Sequence, residues 1–143
     1  MVQLRNTIAI DASQDEVWEV LGDLAATSEW LPGVVRAEVD GAKRVCTMAD
    51  GSEIHEEISD YEPDQRSFRY RHLRVPMPVK DSGGSFSVEP APNGGSNVLL
   101  ESSFAALDPG QEEQVGQMIE GAFQQALESL KRRIEQGARW DAQ

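Results

Sequence analysis

The sequence has 143 residues, with 25 acidic and 13 basic side chains and a formal net charge of −12. This length predicts one domain over residues 1–143, and the acidic excess argues against binding to nucleic-acid backbones or anionic membrane surfaces, which attract basic side chains. The single cysteine, Cys46, excludes an internal disulfide and a multi-cysteine metal site.

The chain begins with a strand and two short helical segments. Residues 2–10 alternate in the manner of a strand, and Ser13 with Glu16 three positions later forms a capping-box pattern ahead of a short amphipathic helix. A second helical piece over 25–31 is predicted to stop before Pro32-Gly33.

Six further strands are predicted between these helices and the C-terminal part of the chain. Short turn signals such as Asp40-Gly41 and Asp50-Gly51 separate them, and another turn is expected near Ser82–Gly84. The predicted strands cover 34–40, 43–48, 52–61, 66–74, 85–89 and 97–107. Consecutive strands with short connections predict a strongly bent antiparallel meander.

The longest helical pattern spans Asp108–Gly137. Asp108 is a suitable N-cap that can form a capping box with Gln111, and Gly137 can end the helix. At about 1.5 Å per residue the helix is roughly 40 Å long, so it must lie across the full width of the sheet. One broad apolar face comprises Val115, Met118, Ile119, Ala122, Phe123, Ala126, Leu127, Leu130 and Ile134.

Several motifs accompany the element order β-α-α-β6-α. They are Ile10-Asp11-Ala12-Ser13 leading into 17–21, Asp23, 28–34, Asp50-Gly51, Tyr61-Glu62-Pro63, Arg69-Tyr70, Pro76-Met77-Pro78 and Leu100-Glu101-Ser102. Over essentially the whole chain this pattern resembles the START-like or helix-grip superfamily, most closely its polyketide cyclase/dehydrase branch. The resemblance implies an α+β helix-grip fold: a seven-stranded curved antiparallel sheet around the C-terminal helix, with an apolar cavity between them.

Strand alternation predicts which side chains line that cavity. On 52–61 the solvent-facing set is nearly all polar and includes His55, so the opposite set should face inward. The inward candidates from the middle strands are Ile54, Glu56, Ile58, Phe68, Tyr70, His72, Arg74, Phe86 and Val88.

The last strand and the long helix complete the predicted lining. Apolarity on 97–107 favours the set containing Leu100 and Phe104, whereas resemblance to the plant hormone receptors of the superfamily implies that Glu101 faces inward. We place Glu101 in the cavity on the strength of that resemblance. From the helix, the predicted wall is Ile119, Phe123 and Leu127, with Met118 and Leu130 at its margins.

Two loops are expected to flank one end of the cavity. The resemblance implies that Pro76-Met77-Pro78 and the hairpin Ala49–Ser52 act as gates, and Met77 offers an adaptable apolar surface. The alternative is that 75–78 is an ordinary connection between strands. Trp18 and Trp30 are predicted to be core residues.

Glu56, Tyr70, His72, Arg74 and Glu101 are the candidate polar groups of the interior. A buried carboxylate must be paired, hydrated or protonated, so we expect a Glu–His or Glu–Arg pair across neighbouring strands. Such a pair either orients the polar end of a ligand or, with Glu56, Tyr70 and His72 as catalytic residues, supplies acid–base catalysis.

These observations favour a cytoplasmic carrier or sensor of a hydrophobic or aromatic small molecule, similar to a lipid or polyketide. The alternatives are a polyketide cyclase, aromatase or dehydratase and, third, a protein-interaction module with an acidic outer sheet face. No metal site is expected, because the two histidines have opposite parity and no zinc spacing occurs. No cofactor is expected either, and the acidic net charge argues against nucleic-acid binding and stable membrane association. A monomer or weak homodimer is expected.

Overall fold

A computed structural model describes residues 1–141, which form one curved antiparallel sheet and two α-helices. The elements are β1 Val2–Ile10, α1 Gln14–Leu21, a 3-10 helix Leu24–Glu29, β2 Val34–Asp40, β3 Lys43–Met48, β4 Glu53–Glu62, β5 Ser67–Arg74, β6 Val79–Pro90, β7 Ser96–Ala106, a 3-10 turn Pro109–Gln111 and α2 Glu112–Gln136. The strand order β1-β7-β6-β5-β4-β3-β2 leaves β1 and β2 at the edges. The predicted α+β helix-grip fold is confirmed.

Most element boundaries follow from local signals in the sequence. Ser13 and Glu16 form the predicted capping box at the start of α1. Gly137 adopts a left-handed conformation, with φ of 69°, and ends α2. Asp108 does not cap α2, because its carboxylate accepts a hydrogen bond from Gly110 N and so caps the preceding 3-10 turn.

The predicted turn near Ser82–Gly84 is wrong, because these residues continue β6. A Cβ atom at Gly84 would collide with the carbonyl oxygen of Glu101, and one at Gly83 would lie 2.7 Å from that of Tyr70. The glycines therefore allow β6 to pack closely between its neighbours rather than to turn. A register shift between Lys80 and Gly83 marks a bulge just before them.

Polar contacts at three positions along helix α2 hold it against the β1 edge of the sheet. Near its start Glu112 pairs with the N-terminal ammonium group at 3.5 Å, and at mid-helix Asn6 Nδ2 donates to Gln124 Oε1 at 3.0 Å. Near its end Lys131 Nζ donates to the carbonyl oxygen of Ala9 at 2.7 Å. The helix thus covers the β1 side of the concave face. The concave surface over β3–β5 is covered by the segment between α1 and β2.

The segment between α1 and β2 covers the side of the concave face that lies away from β1. Contacts from Ser129, Arg133 and Trp140, here called the C-terminal clamp, hold this segment in place. Ser129 Oγ donates to the carbonyl oxygen of Trp30 at 2.5 Å, and Arg133 pairs with Glu29 at 2.6 Å. Trp140, predicted to be exposed or packed at the terminus, is half-buried, and its indole N–H is shared between the carbonyl oxygens of Ser28 and Val34 at 2.9 and 3.0 Å.

The clamp predicts that replacing Trp140 destabilises the protein. Trp140→Ala should lower the free energy of unfolding by about 1–2 kcal/mol, because two partly buried carbonyl groups lose a donor. Urea denaturation followed by circular dichroism measures the change. Arg139→Ala is the control, since it removes only an exposed ion pair with Asp141, and an equal loss in both variants would contradict the clamp.

Candidate functional site

A cavity of about 300 Å³ lies between the concave face of the sheet and α2. Its apolar surface comes from the β2 side, from the middle strands, from the loop before β6 and from the helix. These side chains are Trp30, Leu31, Pro32, Met48, Ile54, Phe68, Met77, Phe86, Leu100, Ala122, Phe123 and Ala126. Ala122 and Gln125 are exposed and mark where the cavity meets solvent.

One wall of the cavity carries a buried ion pair between neighbouring strands. Arg44 on β3 and Glu56 on β4 are register partners, and Arg44 Nε donates to Glu56 Oε1 at 2.9 Å. Both side chains are at most 7% exposed. Arg44 Nη1 also donates to Thr27 Oγ1 at 2.9 Å, which ties the 3-10 helix to the sheet. The predicted carboxylate pairing across strands is present.

His72 extends the cluster from the opposite side of Glu56. Its Nε2 lies 3.6 Å from Glu56 Oε2, and its Nδ1 is hydrogen-bonded to Ser82 Oγ at 2.8 Å. Burial lowers the pKa of His72, although the nearby Glu56 carboxylate opposes that shift. The ring is therefore neutral near pH 7, with one nitrogen free to accept a proton.

The other polar groups of the wall are hydrogen-bond donors. Burial raises the pKa of Tyr70 above its ordinary value of 10, and Glu56 adds to the shift. Burial also raises the pKa of the Cys46 thiol to about 11, although Arg44 opposes this, and its Sγ lies 3.9 Å from Glu56 Oε1. Both groups stay protonated near pH 7. Trp30 Nε1 is a buried donor that has no partner among residues 1–141.

The structure brings together many of the residues predicted to line the cavity. Those that do line it are Ile54, Glu56, Phe68, Tyr70, His72, Met77, Phe86 and Phe123. Met77 puts the loop 76–78 beside the cavity, while its action as a gate stays a prediction. His55 is half-exposed and pairs with Glu53 at 3.1 Å, away from this wall.

Several predicted lining residues lie elsewhere. Ile58, Val88, Leu127 and Leu130 pack in the main core, and Ile119 packs with Val115 and Phe104 in a second cluster. Arg74 is exposed near the end of β5, and Met118 is 52% exposed. The helix face is wider than the cavity, so most of it contacts the sheet directly.

The inward placement of Glu101 is wrong. Val98, Leu100, Ser102 and Phe104 are the buried set of β7, as their apolarity indicated, and Glu101 is exposed on the outer face. Burying the more apolar set leaves the carboxylate in water, where it needs no partner. Glu101 therefore cannot contact a ligand in the cavity.

Arg44 is the main functional candidate that the sequence analysis missed. The signal was present: Arg44, Cys46 and Met48 share one face of β3, and the Asp50-Gly51 turn sets the register that puts Arg44 opposite Glu56. Thr27 and Trp30 could not be located in this way, because their segment is not a strand.

The sequence matches a protein-family model, and the fold matches solved structures. Residues 1–135 match the family described as polyketide cyclase / dehydrase and lipid transport. The chain belongs to this family. No curated protein matches the sequence.

Solved structures share the fold of this family member at low sequence identity. The XoxI protein from Bacillus cereus is 20% identical, with a TM-score of 0.88 over 95% of this chain and 97% of that one. A START superfamily protein from Mycobacterium smegmatis is 13% identical, with a TM-score of 0.81 over 95% and 99%. The Zhui aromatase/cyclase from Streptomyces sp. R1128 is 18% identical, with a TM-score of 0.67 over 95% and 97%.

Within residues 1–141, neither helix is both long and apolar enough to cross a membrane. Across the same residues, histidine, cysteine and acidic side chains nowhere gather in a group of three that could hold a metal ion.

The buried Arg44–Glu56 pair predicts a large loss of folding stability when one partner is removed. Arg44→Met should lower the free energy of unfolding by about 3–5 kcal/mol, because Glu56 is left as an uncompensated buried carboxylate. The double variant Arg44→Met/Glu56→Gln should recover most of the loss in urea denaturation. Arg36→Met is the matched control: it breaks a 2.9 Å pair with Glu38 that is about two-thirds exposed, and should cost less than about 1 kcal/mol.

Burial of neutral His72 predicts a pH dependence of stability. The depressed folded-state pKa contributes stability that is fully present above the ordinary value of 6.5 and is lost as the pH falls toward the folded value. Between pH 7 and pH 5.5, wild type should therefore lose more stability in urea denaturation than His72→Gln. Parallel curves for the two proteins would show that His72 is not buried as a neutral ring.

Proposed function

We propose that this protein binds a neutral hydrophobic or aromatic molecule of one or two rings and carries or senses it. The proposal rests on a mostly apolar cavity in which Arg44 and Glu56 neutralise each other and the buried indole N–H of Trp30 has no partner among residues 1–141. A volume of 300 Å³ is at the lower end of ligand-binding cavities and equals roughly ten waters at about 30 Å³ each. That space suits a compact ligand better than a two-chain lipid.

Trp30 indicates what the polar part of the ligand offers. Its side chain lines the cavity, the residue is 3% exposed, and its indole N–H has no partner among the described residues. A buried donor without a partner is costly, and a ligand acceptor would remove that cost. A ketone or quinone oxygen on an otherwise apolar ring system satisfies this requirement without adding charge.

An enzyme of the cyclase or dehydratase type is the second candidate, favoured by the position of His72. A neutral imidazole beside Glu56 can accept a proton, and Tyr70, whose pKa is raised, can donate one. We rank this second because both Glu56 oxygens already face partners: Oε1 faces Arg44, and Oε2 faces His72. Product formation from a bound ketone, lost in His72→Ala, would reverse the order.

The binding proposal is tested with a matched pair of probes, 1-tetralone and its hydrocarbon analogue tetralin. Wild type should bind both, with tetralone bound more tightly. Trp30→Phe should weaken tetralone binding about five-fold and leave tetralin binding unchanged, because only the ketone loses a hydrogen bond of about 1 kcal/mol. Isothermal titration calorimetry measures both affinities.

A cavity-filling variant provides the control. Ala126→Leu narrows the cavity from the α2 side and should weaken both probes equally. If wild type binds neither probe, or if Ala126→Leu leaves both affinities unchanged, the cavity is not a binding site for this class of molecule.

A further inference from the structure

The outer face of the sheet carries a second, polar hollow of about 660 Å³. Its floor is the glycine pair Gly83 and Gly84, where added side chains would collide with neighbouring backbone. Around it stand charged and hydroxyl side chains, including Glu57, Ser59, Arg69, Arg71, Ser85, Glu101 and Ser103. This hollow, here called the outer groove, is open to solvent and approaches β5 from the side opposite the cavity.

The sheet is interrupted where the outer groove meets β5 and β6. Their pairing ends at Arg71 and Gly83, and the bulge between Lys80 and Gly83 includes Asp81 with φ of 52°. Bulges of this kind change the direction in which a neighbouring side chain points. Beyond the last backbone pair, a side-chain hydrogen bond of 2.8 Å between His72 Nδ1 and Ser82 Oγ links the two strands.

His72 and Ser82 both border the outer groove, and His72 also borders the cavity. The second ring nitrogen of His72 lies 3.6 Å from Glu56 Oε2, on the cavity wall. Proton-bearing or proton-accepting atoms therefore follow one another through the sheet, from Ser82 Oγ through the two nitrogens of His72 to the Glu56 carboxylate, where the last separation of 3.6 Å is longer than a hydrogen bond.

We propose that Ser82 and His72 form a proton path through the sheet between the outer groove and the cavity. A proton arriving at Nε2 from the cavity side forms an N–H bond there, while Nδ1 passes its proton to Ser82 Oγ. The hydroxyl passes its own proton to a water in the groove. One proton has then crossed the sheet, Ser82 is again a hydroxyl, and the neutral ring has changed tautomer.

The surroundings of His72 suit a relay that must remain neutral. The ionisable groups that line the cavity beside it are Arg44, Cys46, Glu56 and Tyr70, all from the sheet. Helix α2 adds only Ala122, Phe123, Gln125 and Ala126 to this lining. Since Arg44 and Glu56 neutralise each other and burial disfavours the charged ring, one nitrogen can accept a proton while the other donates one.

The path would let the cavity exchange a proton with solvent while a ligand blocks its mouth. It applies whether the protein carries a ligand or catalyses a reaction on it, and it can be tested without any ligand. Its failure would therefore leave the proposed binding function untouched.

The test is the exchange rate of the His72 ring N–H proton with water, measured by NMR on protein labelled with ¹⁵N-histidine. Comparison with His55→Gln assigns the signals, because the sequence has two histidines. Ser82→Ala should slow the exchange about ten-fold, which corresponds to a barrier raised by about 1.4 kcal/mol. Ser82→Thr, which keeps the hydroxyl group, should restore the wild-type rate.

Ser85→Ala is the matched control. Ser85 lies three residues further along β6 and also borders the outer groove, but makes no contact with His72 among the described hydrogen bonds. If Ser82→Ala does not fold, Ser82→Cys, a weaker donor of similar shape, should still slow the exchange. Unchanged exchange in the Ser82 variants, or equal slowing in Ser85→Ala, would overturn the proton path.

Discussion

The cavity exists because α2 is held at one edge of the sheet rather than over its centre. Three of its polar contacts lie at or beside β1, with the N-terminal ammonium group, Asn6 and the carbonyl oxygen of Ala9. A helix fixed there cannot also fill the concave surface above β3, β4 and β5. That space is closed from the far side by the segment carrying Thr27 and Trp30, which the C-terminal clamp holds in place.

The same arrangement explains why the interior tolerates charge. Burying a well-packed apolar pair would cost less free energy than burying Arg44 and Glu56. The attraction between the two charges must first offset the loss of hydration of both. The pair is nevertheless bound on several sides, by Thr27, by His72 and weakly by Cys46. Its benefit therefore lies in positioning: it fixes the wall against which a ligand would rest and links that wall to the 3-10 helix.

Strand alternation correctly predicted several of the sheet residues that face the cavity. Helical periodicity did not predict which residues of α2 face it. Glu56, Tyr70 and His72 were placed inward from parity alone, because residues on a strand have only two directions to choose between. A long apolar helix face gives no such choice. Ile119 and Leu127 satisfy the same pattern as Phe123, yet they contact the sheet, and Phe123 faces the cavity.

Glu101 and Arg44 show what each kind of argument could supply. The resemblance to hormone receptors favoured an inward Glu101, whereas the local apolar pattern favoured Leu100 and Ser102, and the local pattern is the one the structure follows. For Arg44, strand alternation together with the hairpin register was sufficient to predict a position opposite Glu56, but the prediction was not made. Segments without strand alternation, such as the one with Trp30, depend on tertiary contacts and could not be positioned from the sequence.

The charges of the cavity wall restrict the class of the proposed ligand more than the cavity volume does. Arg44 and Glu56 are already paired, His72 is held neutral by burial, and the pKa values of Tyr70 and Cys46 are raised, so both keep their protons. A carboxylate ligand would have to separate Arg44 from Glu56 and leave one buried carboxylate unpaired, at a cost of several kcal/mol on the order of that for breaking a buried pair. A neutral ligand with an acceptor oxygen meets no such penalty. This is the physical reason for preferring a ketone or quinone over a fatty acid, although both are hydrophobic.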